Sequence, residues 1–187
     1  MNYLETLIKM IKATEIIVAG KSTVYEKGLS EIEKQIESAK RKNKKLFFIG
    51  NGGSAGVALH MSADFQKSAE IRTQTFFDSP LMTCMSNDYG YEQSFSKPLE
   101  INADKNDILI AISSSGESKN ILNAVAKAKE LGCKVFTFSG FKKDNSLSVM
   151  GDINIYVPIE HYGIVESIHN LILQQIIDDI KEKENGE

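Results

Sequence analysis

Residues 46–55 read LFFIGNGGSA, and this stretch decides the fold class. Its first four residues form a continuous apolar run, which is typical of a strand buried on both faces of a sheet. The run ends at Gly50, and a glycine-rich turn leads into a helical pattern over residues 55–65. Ser54 is the expected N-cap of this helix, whose free amides would form an anion site. An ordinary strand-to-helix turn is the alternative interpretation, since glycine-rich turns alone are weak signals.

Similar apolar runs recur along the chain, and helical segments separate most of them. Further strands are predicted at 73–77, 108–112, 135–138 and 153–157, and further helices at 118–131, 146–150 and 164–180. Strands that alternate with helices indicate an α/β fold, with a five-stranded, mostly parallel sheet between two helical layers. In such sheets ligands bind beyond the carboxyl ends of the strands.

Two amphipathic helices are predicted before the first of these strands. Leu4, Leu7 and Ile8 have helical spacing, and a second helix is expected to start at Thr23, with Glu26 completing a capping box. We therefore expect one domain over residues 1–187, with an N-terminal helical pair at 1–44 and an α/β core at 45–187.

The length and net charge of the chain limit the kinds of partner that it is expected to bind. The chain has 187 residues and a net charge of −3, so it does not favour nucleic acid or an anionic membrane as partner. The basic run at 40–45 is expected at a helix C-terminus, where cations face the helix dipole.

Cys84 and Cys133 are interpreted as reduced core residues. With no signal peptide and no apolar run of membrane-spanning length, we expect a cytoplasmic protein.

A second turn has the composition of a phosphate site. Residues 113–118 read SSSGES and directly follow the predicted strand 108–112. Ser118 is expected to cap the next helix, so that several hydroxyls and helix amides converge without any lysine or arginine. A polar capped loop is the alternative. Two such turns at the ends of consecutive core strands are more specific than either alone.

The sequence resembles the sugar isomerase (SIS) domain family, and within it the sedoheptulose 7-phosphate (phosphoheptose) isomerases. The similarity rests on GNGGSA at 50–55, His60, NDYGYE at 87–92 and ISSSGES at 112–118, and it spans nearly the whole chain. It implies a flavodoxin-like sheet and a cytoplasmic homotetramer with active sites between subunits. It also implies a ketose-to-aldose phosphate conversion that supplies heptose for lipopolysaccharide or capsule. Zinc is a possible cofactor, and no nucleotide cofactor is expected.

The resemblance also implies roles for individual residues. Phosphate would be held by Ser113, Ser114, Ser115 and Ser118. The sugar chain would lie against Asn51, Gly52, Gly53, Ser54 and Asp88. The family's histidine and glutamate, one turn apart on a helix, correspond here to His60 and Asp64, which become a candidate metal pair, with Asp64 also a catalytic base.

The last helix departs from the family pattern. The family has Arg-Ile-Gln-Glu at its start and a histidine two turns after the glutamine. Aligned on Ile164 and Glu166, this chain has Gly163, Val165 and Leu173 at the arginine, glutamine and histidine positions. His169 falls between the two altered positions on the same helix face. We hypothesise that His169, helped by Glu166, takes over proton transfer or metal ligation; a structural histidine is the alternative.

Three functions therefore compete. The leading hypothesis is an aldose–ketose isomerase that acts on a phosphorylated sugar, most simply sedoheptulose 7-phosphate, through an enediol. The alternatives are an isomerase of a different sugar phosphate, and a non-catalytic sugar-phosphate-binding or regulatory SIS protein. Intact binding turns beside an altered last helix are what a loss of catalysis would leave. His161, just before that helix, is interpreted as an ordinary loop residue.

Overall fold

A computed structural model describes residues 2–186. Seven strands are β1 (Glu15–Val18), β2 (Lys21–Thr23), β3 (Lys45–Gly50), β4 (Arg72–Gln74), β5 (Ile108–Ser113), β6 (Lys134–Gly140) and β7 (Ile153–Val157). Seven α-helices are α1 (Tyr3–Ala13), α2 (Tyr25–Arg41), α3 (Gly52–Ser68), α4 (Ser79–Tyr89), α5 (Ser96–Asn102), α6 (Lys119–Glu130) and α7 (Tyr162–Asn185). Short 3-10 helices span Tyr91–Gln93 and Ser146–Val149.

All seven strands form one sheet in the order β2-β1-β7-β6-β5-β3-β4. The five strands from β3 onward are parallel, and their order is the doubly wound arrangement of flavodoxin. The strand order reverses between β3 and β5. Both turns singled out in the sequence follow these two strands, so they meet at the topological switch point, where such sheets bind ligands.

Two apolar layers enclose the sheet, as the α/β pattern predicts. One face packs against α2, α3 and α7, and the other against α5 and α6. Every residue of β5 is buried, which is why the strand reads as an unbroken apolar run. Among the described residues, no helix is long and apolar enough to cross a bilayer.

The N-terminal part differs from the predicted helical pair. A β-hairpin separates α1 from α2, and β1 pairs with β7 in antiparallel orientation, which gives seven strands instead of five. Its turn residues, Ala19 and Gly20, have φ of +48° and +76°, as a two-residue hairpin turn that matches the strand twist requires. Thr23 ends β2, so the capping box expected at Thr23 and Glu26 is wrong, and α2 begins at Tyr25.

Other element boundaries also differ from those predicted. The helix predicted after the glycine-rich turn begins at Gly52, with Asn51 as its N-cap, so Ser54 lies inside the first turn and is not the cap. Helices α4 and α5 were not predicted. Cys133 is buried, but Cys84 lies exposed on α4, so its predicted core position is wrong.

Candidate functional site

A cleft of about 300 Å³ opens at the carboxyl ends of β3 and β5. Its lining combines both predicted turns with the start of α7: Asn51, Gly52, Gly53, Ser54, Ser113, Ser114, Ser115, Ser118, Tyr162 and Glu166. A groove of about 350 Å³ between α2 and α7 is larger, but four carboxylates and one lysine line it. That groove is unsuited to an anionic sugar, whereas the cleft is rich in hydrogen-bond donors.

Two glycines allow the first turn to close around the cleft. A Cβ on Gly50 would lie 2.6 Å from the backbone carbon and oxygen of Ser54, so only glycine lets the helix fold back on the strand end. A Cβ on Gly53 would lie 2.2 Å from Oε2 of Glu166. Glycine at position 53 therefore leaves room for a carboxylate directly against the first turn of α3.

The serine-rich turn is an internally bonded loop. Oγ of Ser113 accepts a hydrogen bond from the Gly116 amide at 3.2 Å, and Oγ of Ser115 accepts one from Glu117 at 3.3 Å. Ser118 is the N-cap of α6, as predicted, but its side chain makes no capping bond. Its hydroxyl instead lies 3.5 Å from that of Ser113. Oγ of Ser114 is buried and has no protein partner among the described residues.

The far side of this turn is held by the segment at 145–148. The Glu117 carboxylate accepts two hydrogen bonds of 2.8 Å, from the amide and the hydroxyl of Ser146. These bonds keep the pKa of Glu117 below its usual value. Gly116, with φ of +69°, packs so close to Asn145 that a Cβ would come within 2.0 Å of its Oδ1. The turn is therefore fixed in shape before any ligand arrives.

A pair of amide side chains joins the two turns. Nδ2 of Asn51 donates to Oδ1 of Asn120 at 2.9 Å, and Nδ2 of Asn120 donates to Oδ1 of Asn51 at 2.9 Å. The Tyr91 hydroxyl also donates to Oδ1 of Asn51 at 2.9 Å. Asn120 is buried at the start of α6, so this pair links the N-termini of α3 and α6.

Glu166 supplies the one carboxylate among the residues that line the cleft in the described chain. Burial raises its pKa above the usual value for glutamate. The nearby first turn of α3 carries partial positive charge and favours the ionised form, so burial and the dipole act in opposite directions. Tyr162, one turn earlier on α7, brings a phenol to the same cleft, and its ring packs edge-on against Phe141.

Several predicted site residues lie outside this cleft. Asp88 is exposed on α4, where its carboxylate accepts a hydrogen bond from Asn87. His60 and Asp64 lie on α3 with 3.4 Å between Nε2 and Oδ2, and 57% of the His60 side chain is exposed. The cleft of a single chain therefore lacks all three, and their catalytic, substrate and metal roles stay predictions.

His169 is in the core, which corrects the expectation that it faces the reacting sugar. Its residue exposure is 0%, and its ring lies edge-on to Phe138. Nε2 lies 3.1 Å from the Ser139 carbonyl, and the buried Nδ1 has no partner among the described residues. Burial lowers the pKa of His169 to about 4. Val165 and Leu173 are equally buried, so this face of α7 packs against the sheet.

The residues present in one chain do not complete a zinc site. His60 and Asp64 offer two ligands, whereas a catalytic zinc needs three from protein. Across residues 2–186, no group of three or more histidine, cysteine, aspartate or glutamate side chains comes together in a way that could hold a metal ion. Glu166 and His169, the two expected third ligands, lie in the cleft and in the core respectively.

Sequence reasoning missed two contributors to the site. Tyr162 was passed over because it stands just before the apolar periodicity of α7. Asn120 was passed over because it lies inside the first turn of α6. The sequence signal for Asn120 was an amide at a position where the helix pattern predicts an apolar residue. The Asn120 side chain is only 2% exposed in the structure, and buried amides need hydrogen-bond partners.

Known proteins match this chain over most of its length. The family described as SIS domain matches residues 15–140. Phosphoheptose isomerases from Helicobacter pylori and Sulfurimonas denitrificans are each 34% identical to it; the first alignment covers 73% of this chain and 74% of the relative, the second 98% and 95%. The solved structure of a phosphoheptose isomerase from Francisella tularensis has a TM-score of 0.84 at 26% identity and covers 96% of this chain and 95% of that one. The chain therefore belongs to the SIS domain family, on its phosphoheptose isomerase branch.

Proposed function

We propose that this chain is an aldose–ketose isomerase of a phosphorylated sugar, with sedoheptulose 7-phosphate as substrate. The observation that carries the proposal is the meeting of two preformed donor-rich turns and one carboxylate in a single cleft. The substrate choice rests on the relatives, which are named phosphoheptose isomerases. The same proposal places the reaction in the cytoplasm, in the supply of heptose for lipopolysaccharide or capsule.

Phosphate binding is assigned to the serine-rich turn. The residues that line the cleft in the described chain include no lysine or arginine, so the dianion would be held by hydroxyls and by the amides at the start of α6. Oγ of Ser114 is buried without a partner, which is costly unless a ligand supplies one. Because Glu117 and Asn145 already brace the turn, little ordering entropy would oppose binding.

Glu166 is assigned the proton transfer. As a carboxylate it would remove the proton from the carbon next to the carbonyl, leaving an enediolate and a protonated Glu166. The same group would then return the proton to the neighbouring carbon, which had carried the carbonyl, while a proton moves between the two oxygens. The Tyr162 phenol is the proposed donor that shuttles this second proton. A raised pKa suits the task, because a base with a pKa nearer neutrality is stronger yet still ionised.

An oligomer with sites between subunits belongs to the same proposal. Helix α4 has no buried residue in the isolated chain, and α1 exposes Leu4 and Ile8 by 68% and 54%. His60 and Asp64 are exposed as well. A homotetramer would cover these exposed helices, and it would give the His60–Asp64 pair a neighbouring cleft to act in.

The alternative function is a sugar-phosphate-binding protein without catalysis. The observation that favours it is the core position of Val165 and Leu173, which removes the family's glutamine and histidine from the site without a substitute on the same face. In that case the serine-rich turn would bind the sugar phosphate, and Glu166 would serve only to orient a hydroxyl.

One experiment separates the two functions. Sedoheptulose 7-phosphate is incubated with the protein in deuterated water, and exchange of the proton beside the carbonyl is followed by nuclear magnetic resonance. We expect exchange with wild type and a loss of about 100-fold or more in Glu166→Gln, as removal of a general base usually gives. Glu160→Gln, a matched change at an exposed position outside the cleft, is expected to keep full activity. Binding with neither exchange nor aldose formation in the wild type would contradict isomerisation of this sugar and favour the non-catalytic alternative.

A further inference from the structure

We infer that Asn120 and Tyr91 are positioning residues, which fix Asn51 as a hydrogen-bond donor toward an acceptor oxygen of the bound sugar. The inference rests on the proposed function, because it concerns the same cleft. Asn51 alone of the three lines the cleft. Asn120 and Tyr91 would therefore act only through it.

The orientation of the Asn120 amide follows from one group that can only donate. The backbone N–H of Ile121 lies 3.0 Å from the side-chain end of Asn120 that carries Oδ1. This N–H is shared with the Ser118 carbonyl, also at 3.0 Å, but it still points at that end of the Asn120 amide. An amide nitrogen there would bring two donors together, so that end must be the oxygen. The opposite end of the amide, Nδ2, then faces Oδ1 of Asn51 and lies 3.5 Å from the Ser94 hydroxyl.

The orientation of Asn51 follows from that of Asn120. Oδ1 of Asn120 accepts from Asn51 at 2.9 Å, so the facing atom of Asn51 must be Nδ2. Oδ1 of Asn51 is then used twice, by Asn120 and by the Tyr91 hydroxyl. One amide hydrogen of Asn51 is left without a protein acceptor in the part of the chain that the structure describes. The group that Asn51 offers to a ligand is therefore an N–H.

This arrangement has a consequence for substrate choice. A fixed N–H binds an oxygen with a free lone pair, such as a carbonyl, a hydroxyl or an enediolate oxygen, and it strengthens as negative charge develops. Inorganic phosphate held by the serine-rich turn lacks the sugar chain that would reach Asn51. The network should therefore contribute to sugar-phosphate affinity and not to phosphate affinity.

Asn120→Asp tests the inference with almost no change in volume. The aspartate keeps the acceptor for Ile121 but turns its second oxygen toward Oδ1 of Asn51, so two acceptors face each other. The added negative charge lies in the first turn of α6 and weakens the binding of any phosphate there, so the two ligands are compared with each other. We expect the affinity for sedoheptulose 7-phosphate, measured by titration calorimetry, to fall about 10-fold or more beyond the fall for inorganic phosphate. Lys119→Gln is the matched control. It changes the charge by the same amount at the neighbouring exposed residue, which does not line the cleft, so we expect both affinities to fall by the same factor.

A double variant decides whether Asn120 acts through Asn51. In the background of Asn51→Ala, Asn120→Asp should lower the two affinities by the same factor, with no extra loss for the sugar phosphate. An extra loss for the sugar phosphate that is as large in this background as in wild type would overturn the inference, as would equal losses for the two ligands in Asn120→Asp alone. Tyr91→Phe removes one hydroxyl from a half-exposed residue and keeps the test available if Asn120→Asp does not fold. We expect it to weaken only sugar-phosphate binding, by about 3-fold, and unchanged binding would count against the inference.

These measurements need no turnover. If wild type binds sedoheptulose 7-phosphate more tightly than inorganic phosphate but exchanges no proton, only the isomerase assignment fails. If wild type does not discriminate between the two ligands, the inference about Asn51 fails, whatever the result of the exchange experiment.

Discussion

The core histidine makes stability depend on pH in a predictable way. In the unfolded chain His169 takes up a proton near its usual pKa of 6.5, whereas in the folded chain burial lowers its pKa to about 4. Between these values the unfolded state binds more protons than the folded state, so stability falls as pH falls. The loss begins near pH 6.5 and is complete below pH 4.

The size of the effect follows from the two pKa values. The lowering of the His169 pKa from 6.5 to about 4 corresponds to about 3 kcal/mol of stability. Lowering the pH from 7.5 to 5.0 should cost the folded state about 2 kcal/mol through His169 alone. Other titrating groups also change the free energy of unfolding with pH. The contribution of His169 is therefore the difference between the pH dependence of the wild type and that of a variant without this histidine.

His169→Gln removes the titration while keeping a donor for the Ser139 carbonyl, which now lies 3.1 Å from Nε2. Urea unfolding at pH 7.5 and 5.0, at one fixed protein concentration, should show wild type losing about 2 kcal/mol more than the variant. His60→Gln is the matched control, since His60 is mostly exposed, and it should retain the wild-type loss.

Equal pH dependence in wild type and His169→Gln would refute this reasoning. Should the variant not fold, the ring carbon signals of His169 in the wild-type protein give the pKa directly. A midpoint near 6.5 would then contradict the lowered value.

Two further predictions concern the ends of the helices around the cleft. Gly53→Ala should push the Glu166 carboxylate aside and reduce proton exchange at least 10-fold with little change in melting temperature. The control is Gly56→Ala, where a Cβ would meet nothing within 4 Å; it should leave exchange intact and stabilise α3 by up to about 1 kcal/mol. Full exchange activity in Gly53→Ala would contradict the placement of Glu166. His161→Ala should lower the free energy of unfolding, measured in urea, by about 1 kcal/mol, because Nδ1 of His161 caps α7 by accepting a hydrogen bond from the Ile164 amide. His161→Asn keeps an acceptor and should lower it less. Equal losses in the two variants would argue against the cap.

The elements that were predicted best from the sequence are those buried in the core. Strands buried on both faces, such as β5, leave no choice of residue type, so their apolar runs are easy to recognise. The two turns were found because strand ends and glycines mark them, and all eight of the predicted cleft residues from these turns line the cleft. Asp88, the ninth predicted substrate residue, does not.

Elements without a buried face were harder to predict. Helix α4 has no buried residue, so no apolar stripe marks it, although Asp78 caps it and Pro80 stands in its first turn. The β1–β2 hairpin was missed because its apolar run is only three residues long and directly follows a helical pattern. The turn at Ala19 and Gly20 was the usable signal.

Periodicity placed His169 on the same face of α7 as Val165 and Leu173, and the structure confirms that the three share one face. Periodicity could not tell which way that face points. Two apolar residues at the altered positions are better explained by a face turned to the core, where a histidine needs only one good hydrogen bond. That bond, to the Ser139 carbonyl, depends on strand β6 and so on contacts remote in sequence.

Because this face of α7 is turned to the core, the family's glutamine and histidine cannot be restored by simple replacement. Val165 is fully buried, and its methyl groups would lie within 3 Å of a Cβ at Gly140, so the helix and β6 are in close contact there. Val165→Gln would bury an amide with no partner, and we expect a loss of about 1–3 kcal/mol in urea unfolding. Val165→Thr, which is nearly the same size, should lose less. If Val165→Gln instead kept full stability and raised proton exchange, this face of α7 would have to reach the cleft. The assignment of proton transfer to Glu166 would then lose its main structural reason.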